Sequence, residues 1–390
     1  MIYCHALGLI NALGNNPYDI LKQLSNNQSG LVEDDSWLIN HQKTFLGKIE
    51  ANLPIIPEQY PQHNSRNNRL LLAALEQIRP QVDKCIVTYG KNRIAIIIGT
   101  STSGIDEGEK ALAHVKTHTR FPNHFYYQQQ QFGDPSLFLS KYLDLSGPAY
   151  AISTACSSSA RAIISGASLI NAGIVDAAIV GGADSLCKMA INGFNALEAI
   201  SPQPCMPFSE HRNGISIGEA AGLMLLTRTP SETVLMGYGA SSDAWHMSAP
   251  HPEGDGAEEA MKKALLTAKL RPEQVGYINL HGTATPLNDQ AESQAVHRLF
   301  GNKVPCSSTK HLTGHTLAAA GITEAGLSIL LLQNDIPLPK QQFTDNNKLD
   351  STLADIQIVT QTTKLSSPII LSNSFAFGGN NACLIFGKTS

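Results

Sequence analysis

The sequence predicts an α/β protein made of two similar layered halves. Three observations carry this. Apolar β-branched runs alternate with stretches of helical apolar spacing along the chain. Two local patterns recur at nearly one interval. Ser153-Thr154 ahead of a small-residue helix is echoed about 155 residues later by Ser308-Thr309 ahead of Leu317 to Leu332, and Gly218 to Leu226 is echoed about 160 residues later by Gly378 to Phe386. Hydrophobic residues make up 42% of the chain and charged residues only 15%, which suits a heavily buried enzyme rather than a disordered or coiled-coil chain. The two halves join in the polar link Thr227 to Thr233, so that residues 1–229 form one unit and 230–390 the other.

The elements follow in order. Ile2 to Ile10 reads as an opening strand, and Tyr18 to Leu24 as a short helix. Residues 27–65 are mixed and Pro-containing and read as surface loops. Arg69 to Ile78 is helical, and Arg93 to Ile98 has the continuous β-branched character of a strand covered on both faces. Residues 101–145 read as loops and short helices, with an aromatic and Gln-rich cap at Phe125 to Phe132. Ala149 to Ile152 is a strand. Apolar residues at Ala160, Ile163, Ile164, Ala167 and Ile170 then mark a helix. Ala177 to Val180 is a strand ending in a Gly181-Gly182 turn, and Ala221 to Leu226 is another strand. Val275 to Leu280 and Lys303 to Cys306 are strands of the second half.

The net charge is −4 with the charges dispersed, which gives no footprint for nucleic acid. Seven cysteines with no CxxC pair point to free thiols in a reducing, cytoplasmic setting. The N-terminus lacks a basic segment ahead of an apolar run, and no uncharged apolar run reaches membrane-spanning length.

Ala151-Ile-Ser-Thr-Ala-Cys156-Ser-Ser-Ser-Ala160 puts one thiol where a strand turns into a helix. In the first turn of a helix the thiolate is favoured by the dipole, so Cys156 reads as a nucleophile; the alternative is a buried structural cysteine. Three polar segments of the second half follow strands or join them. They are Asn279-Leu-His281-Gly-Thr283-Ala-Thr285, Ser308-Thr-Lys310-His-Leu-Thr-Gly314-His315, and Asn373-Ser-Phe375-Ala-Phe377-Gly378-Gly-Asn-Asn381. The C-terminal ends of strands in α/β sheets are where ligand crevices form. His281 and His315 are candidates for such a site or else satisfied core histidines. His311 and His315, four apart, offer a weak metal-ligand spacing that Gly314 argues against. The glycine loop permits close approach of backbone N–H groups, or is a plain hairpin.

Together, the Thr154-Ala-Cys156-Ser-Ser, His281-Gly-Thr-Ala-Thr-Pro, Lys310-x3-Gly-His315 and Ser374-Phe-Ala-Phe-Gly-Gly motifs, in this order, resemble the β-ketoacyl-acyl-carrier-protein synthases of the thiolase superfamily. The resemblance spans Gly8 to Phe386. It implies a duplicated thiolase-like fold in five layers (α-β-α-β-α) and a dimer, either a homodimer or a heterodimer with a chain-length-factor-like homologue. It also implies decarboxylative condensation on an acyl carrier protein, with no metal and no cofactor beyond the carrier's phosphopantetheine.

Carried over by position, Cys156 is the nucleophile. His281 and His315 act on the malonyl thioester, and Lys310 paired with Glu324 positions that site. Thr283 and Thr285 bind the pantetheine arm, and Phe377 gates it, with Phe375 and Gly378 also placed at the substrate. The oxyanion donors are the N–H groups of Cys156 and Phe377. Asp289 and Glu292 look structural. The chain departs from the family at Met206-Pro-Phe-Ser209, where an Arg-Pro-aromatic-Asp run is usual, and at Ala376 and Asn380 in the gating loop. Arg66, Arg69 and Arg212 remain candidates for a carrier-docking patch, or are solvated surface charges. These departures suggest a specialised polyene or polyketide enzyme as readily as a fatty-acid one. A non-catalytic partner subunit and a coenzyme A thiolase are the competing classes. The intact Cys156/His281/His315 set argues against the first, and the His281/His315 pair, where thiolases use a different partner set and a second cysteine, argues against the second.

Overall fold

The computed structural model describes residues 1–343 and 348–389. The strands of the first half are β1 (Ile2–Ile10), β2 (Leu31–Asp34), β3 (Thr44–Gly47), β4 (Ile94–Gly99), β5 (Ala149–Ile152), β6 (Ala177–Asp184), β7 (Ile217–Gly218) and β8 (Ala220–Thr227). Those of the second are β9 (Thr233–Ser242), β10 (Tyr277–Asn279), β11 (Cys306–Ser307), β12 (Ile369–Phe375) and β13 (Asn380–Lys388). The helices are α1 (Pro17–Ser25), α2 (Arg66–Tyr89), α3 (Ile105–His118), α4 (Asp134–Tyr142), α5 (Ser158–Asn171), α6 (Lys188–Ala196), α7 (Asp255–Ala268), α8 (Pro286–Phe300), α9 (Lys310–Thr313) and α10 (Ala320–Gln333).

Ten strands form one ladder in the order β11-β10-β12-β13-β9-β1-β8-β6-β4-β5. Read outward from the β9–β1 junction, the two sides match position by position. The echo in the sequence is therefore a duplicated topology. β4 and β6 are buried along their whole length, as parallel strands covered on both faces should be. The ladder wraps around α5 and α10, which pack on each other and touch strands of both halves. Helix α2 covers the outer face of β1, β6 and β8, while α7 covers β9 and β13. The layers therefore run helix, sheet, helix, sheet, helix, and three large apolar clusters fill the spaces between them.

Close packing explains several differences from the sequence reading. Gly181 and Gly182 do not turn; they continue β6 to Asp184. A Cβ on Gly181 would sit 2.0 Å from the carbonyl oxygen of Gly222 on β8, and one on Gly182 would meet Gly99 and Ser159. These glycines serve backbone approach rather than chain reversal. Helix α2 starts at the Ser65 cap and runs past Pro80 to Tyr89. Pro80 and Glu76, whose carbonyl loses its partner, both face solvent, where the missing bond is tolerated. Residues 27–65 are not all loop, because β2 and β3 form a hairpin that pairs with β7. In the aromatic cap only Gln129 is buried, while Tyr127 and Phe132 are exposed.

Candidate active site

Cys156 lies between β5 and α5, two residues ahead of the helix rather than in its first turn. Ala155 adopts φ +50°, a conformation alanine takes at a cost of about 1 kcal/mol, and this kink presents the following side chain inward. Burial pushes the Cys156 thiol up to about 12, against the opposing pull of Lys310 and a backbone hydrogen bond from Phe377. The resting group is therefore a neutral thiol. Loss of water outweighs the helix dipole that the sequence argument relied on.

His315 Nε2 lies 2.9 Å from Cys156 Sγ. The His281 and His315 rings meet edge to face with centroids 5.4 Å apart. The sulfur and one nitrogen of each ring fall within 4.8 Å of one another, so all three groups reach one small substrate atom cluster. Burial holds both imidazoles well below their ordinary range, helped by the Lys310 charge and, for His281, by His315. His281 follows β10. Its N–H and that of Gly282 both donate to Glu292 (2.7 Å each), whose carboxyl also accepts from Asn373. Asp289 accepts from the N–H groups of Phe208 and Ala284. Both carboxylates thus hold the backbone turn.

Lys310 is buried and spends its three N–H groups on Glu324, on the His281 carbonyl and on His281 Nδ1, the last at 3.3 Å. An ammonium donating to Nδ1 leaves the ring proton on Nε2, so His281 offers a donor to the cavity. Burial pushes Glu324 up to about 7, with Lys310 pulling it back down. His315 Nδ1 has no partner among the described residues, so its tautomer is not locked. Its backbone is fixed instead: the N–H donates to Ser216 O at 2.7 Å, and its carbonyl accepts from Gly218 at 3.0 Å. Glycines at 47 and 218 let β3 and β7 lie directly over the Thr313 carbonyl. His311 bonds Ser308 and Gln341 and lies outside this cluster, so the four-residue spacing makes no shared site with His315.

A cavity of about 390 Å³ opens over the sulfur and is lined by His281, His315, Thr283, Thr285, Phe375 and Phe377, among others. The Thr283 and Thr285 hydroxyls bond each other at 3.0 Å. Phe377 packs on Phe194, with ring centroids 5.6 Å apart. Gly378, placed at the substrate from sequence, does not line the cavity. Its φ of +80° turns the loop, and its N–H donates to the Met247 carbonyl. The arginines are committed elsewhere. Arg66 pairs with Glu219 and bonds Ile49 O, Arg69 bonds Pro54 O, and Arg212 is turned inward onto Asp350 and near Asp289.

Sequence reasoning missed Asp184. Fully buried at the end of β6, it accepts from Thr100, Ser101 and Thr102 and from the N–H of Ala318 at 2.7 Å. The signal was a lone carboxylate closing an all-apolar strand.

Residues 64–231 match the family described as Beta-ketoacyl synthase, N-terminal domain, and residues 233–344 match its C-terminal domain. The chain belongs to the β-ketoacyl synthase family. This ketosynthase is 32% identical to 3-oxoacyl-[acyl-carrier-protein] synthase 2 of Vibrio harveyi over 98% of its own length and 97% of that enzyme's. It is 33% identical to the enzyme of the same name from Staphylococcus aureus (strain COL), over 83% and 82% of the two chains. Among solved structures it is similar to the ketosynthase ApeO, in complex with its chain length factor ApeC, from Xenorhabdus doucetiae. Identity there is 54% and the TM-score 0.97, covering 100% of this chain and 98% of that one. The ishigamide ketosynthase/chain length factor, at 24% identity and TM-score 0.89 over 100% and 99% of the chains, shares the fold. The ketosynthase is thus an acyl-transferring condensing enzyme with the duplicated thiolase-like architecture. No helix among the described residues is long and apolar enough to cross a membrane.

Proposed function

We propose that the ketosynthase takes an acyl group from the phosphopantetheine arm of an acyl carrier protein onto Cys156 and condenses it with a malonyl thioester. We place it in the cytoplasm, beside a chain-length-factor-like homologue in a polyene or polyketide pathway. The convergence of Cys156 Sγ and two neutral imidazoles within 4.8 Å carries the chemical part of this reading. The high identity to a ketosynthase solved with its chain length factor supports the partner and pathway. The weaker match to 3-oxoacyl-[acyl-carrier-protein] synthase 2 favours, as second choice, a homodimer that elongates fatty acids.

The chemistry follows from the geometry. In acylation the Sγ–carbon bond forms while His315 Nε2 takes the thiol proton. The oxyanion rests on the N–H groups of Cys156 and Phe377, and the departing pantetheine sulfur recovers the proton. In decarboxylation the malonyl thioester oxygen accepts from His281 Nε2 and His315 Nε2, carbon dioxide leaves, and the electron pair becomes the enolate. In condensation the enolate carbon attacks the acyl carbonyl, and the Cys156 sulfur departs with its electron pair as thiolate and takes up one proton from water. His315 serves as acceptor in the first step and donor in the second, which suits a ring whose Nδ1 no described residue holds. Thr283, Thr285 and Phe375 line the path of the arm, and Phe377 gates it. No metal or further cofactor is required, because a cation on the same three donors would occupy the attacking sulfur.

Incubation with a panel of acyl-carrier proteins followed by mass spectrometry of the intact chain tests this. The wild type gains the acyl mass, and Cys156→Ala gains none, a loss of at least about 10³-fold in acylation. Acylation retained by Cys156→Ala overturns the reading.

A further inference from the structure

The departure at Met206 and the inward turn of Arg212 leave open how a carrier is recognised. None of the described residues lining the active-site cavity is lysine or arginine, and its charged members besides the neutral histidines are Glu198 and Asp243. Four large apolar side chains are exposed around the mouth instead. Leu197 and Leu287, each 58% exposed, line the cavity. Trp245 (58%) and Met247 (81%) belong to the segment between Asp243 and Pro250, which also lines it. Trp245 rests edge-on against His251, and the Met247 carbonyl accepts from Gly378 N–H at 2.9 Å. The segment is therefore bonded to the loop that carries Phe377.

We propose that the exposed rim of Leu197, Trp245, Met247 and Leu287 is the docking surface for the acyl carrier protein. It is engaged by apolar contact rather than by ion pairs. This rests on the function proposed above. The occupant follows from position: an acyl group tethered to a carrier's arm reaches Cys156 through this mouth, so the carrier's body comes to rest on the residues around it. The chemistry follows from composition. With Glu198 and Asp243 the lining offers no cation for an ion pair, so apolar area supplies the attraction, and exposed Trp and Met are the side chains that anchor such contacts. Because Met247 is bonded to Gly378, a carrier seated on the rim presses on the gating loop.

The test compares acylation of Cys156 by acyl-carrier protein with acylation by free acyl-pantetheine, at low and high salt, for the wild type and for Trp245→Ser/Met247→Ser. Both side chains are exposed, so the double variant retains the fold. The variant is expected to need about tenfold more acyl-carrier for half-saturation, equivalent to about 1.4 kcal/mol, and to react with acyl-pantetheine at the wild-type rate. Raising salt is expected to change the wild-type half-saturation less than about twofold, since screening acts on charges. Unchanged carrier saturation in the variant, or a steep salt dependence in the wild type, overturns the docking proposal. A wild type that neither donor acylates overturns the function proposal instead.

Discussion

The two strand-to-helix joints of the duplicated scaffold share a frame and differ in what they carry. Ala155 has φ +50° three residues before α5 begins, and Leu317 has φ +50° three residues before α10 begins. By that register Cys156 corresponds to Ala318. No side chain accepts from the N–H of Cys156 among the described residues, which leaves it for the oxyanion. The equivalent N–H of Ala318 is spent on Asp184. The second joint is also longer: α9 and the turn after it insert Lys310 and His315 between β11 and α10. Contact between the helices then brings the two joints together. Gly321 of α10 lies so close to Ala160 of α5 that a Cβ there would come within 2.6 Å of the Ala160 nitrogen, and Ile322 N–H donates to Ser159 Oγ at 2.9 Å. Duplication thus supplied two equal joints; one kept a reactive sulfur and the other acquired the charge and the imidazole that act on it.

Breaking the second joint has the largest expected effect. Lys310→Met leaves Glu324 buried without its cation, at a cost of about 3–5 kcal/mol in stability, and removes the donor that sets the His281 tautomer. Malonyl decarboxylation should fall by about 10²-fold or more. Lys310→Met/Glu324→Leu should recover most of the melting temperature but not the decarboxylation. Recovery of both would reduce the pair to packing.

The first joint is sharpened by titration. Burial raises the Cys156 pKa, so the thiol stays protonated below about 12 and the thiolate fraction grows with pH throughout the accessible range. Alkylation by iodoacetamide should therefore climb about tenfold per pH unit between about pH 7 and pH 10. A plateau below about pH 8 would show that the helix end stabilises the anion after all.

The smallest effect tests the equivalence of the joints. Ala155→Gly and Leu317→Gly each relieve a positive φ, offsetting the entropy that glycine adds to the unfolded chain. Ala155→Gly should stay within about 0.5 kcal/mol of wild type, whereas Ala162→Gly inside α5 should lose about 1 kcal/mol or more. Leu317→Gly gains the same backbone relief but also loses a buried side chain. Equal destabilisation by Ala155→Gly and Ala162→Gly would mean that the kink carries no strain.

Legibility in the sequence followed burial. Strands β1, β4, β6 and β8 are apolar for long stretches because helices cover them, and their positions could be read directly. The β2–β3 hairpin and Gly181-Gly182 could not, and the strand read at Lys303 to Cys306 shrank to Cys306–Ser307, because their form is imposed by partners far along the chain. Cys156, His281, His315 and Lys310 were nominated through the order of their motifs and Glu324 through the family resemblance, not through periodicity. What no local pattern contained was the neutral resting thiol, a product of burial by both halves, and the tie from Asp184 to Ala318 across 134 positions.

The β1–β9 junction has a consequence for synthesis. β1 finds its hydrogen-bonding neighbours in β8 and β9, which end at Thr227 and Ser242. During synthesis β1 therefore has neither neighbour until about 210 further residues have been made. Over that interval the backbone edges of β1 are open to wrong partners, so chaperone shielding of the nascent chain is expected to raise the yield of folded protein.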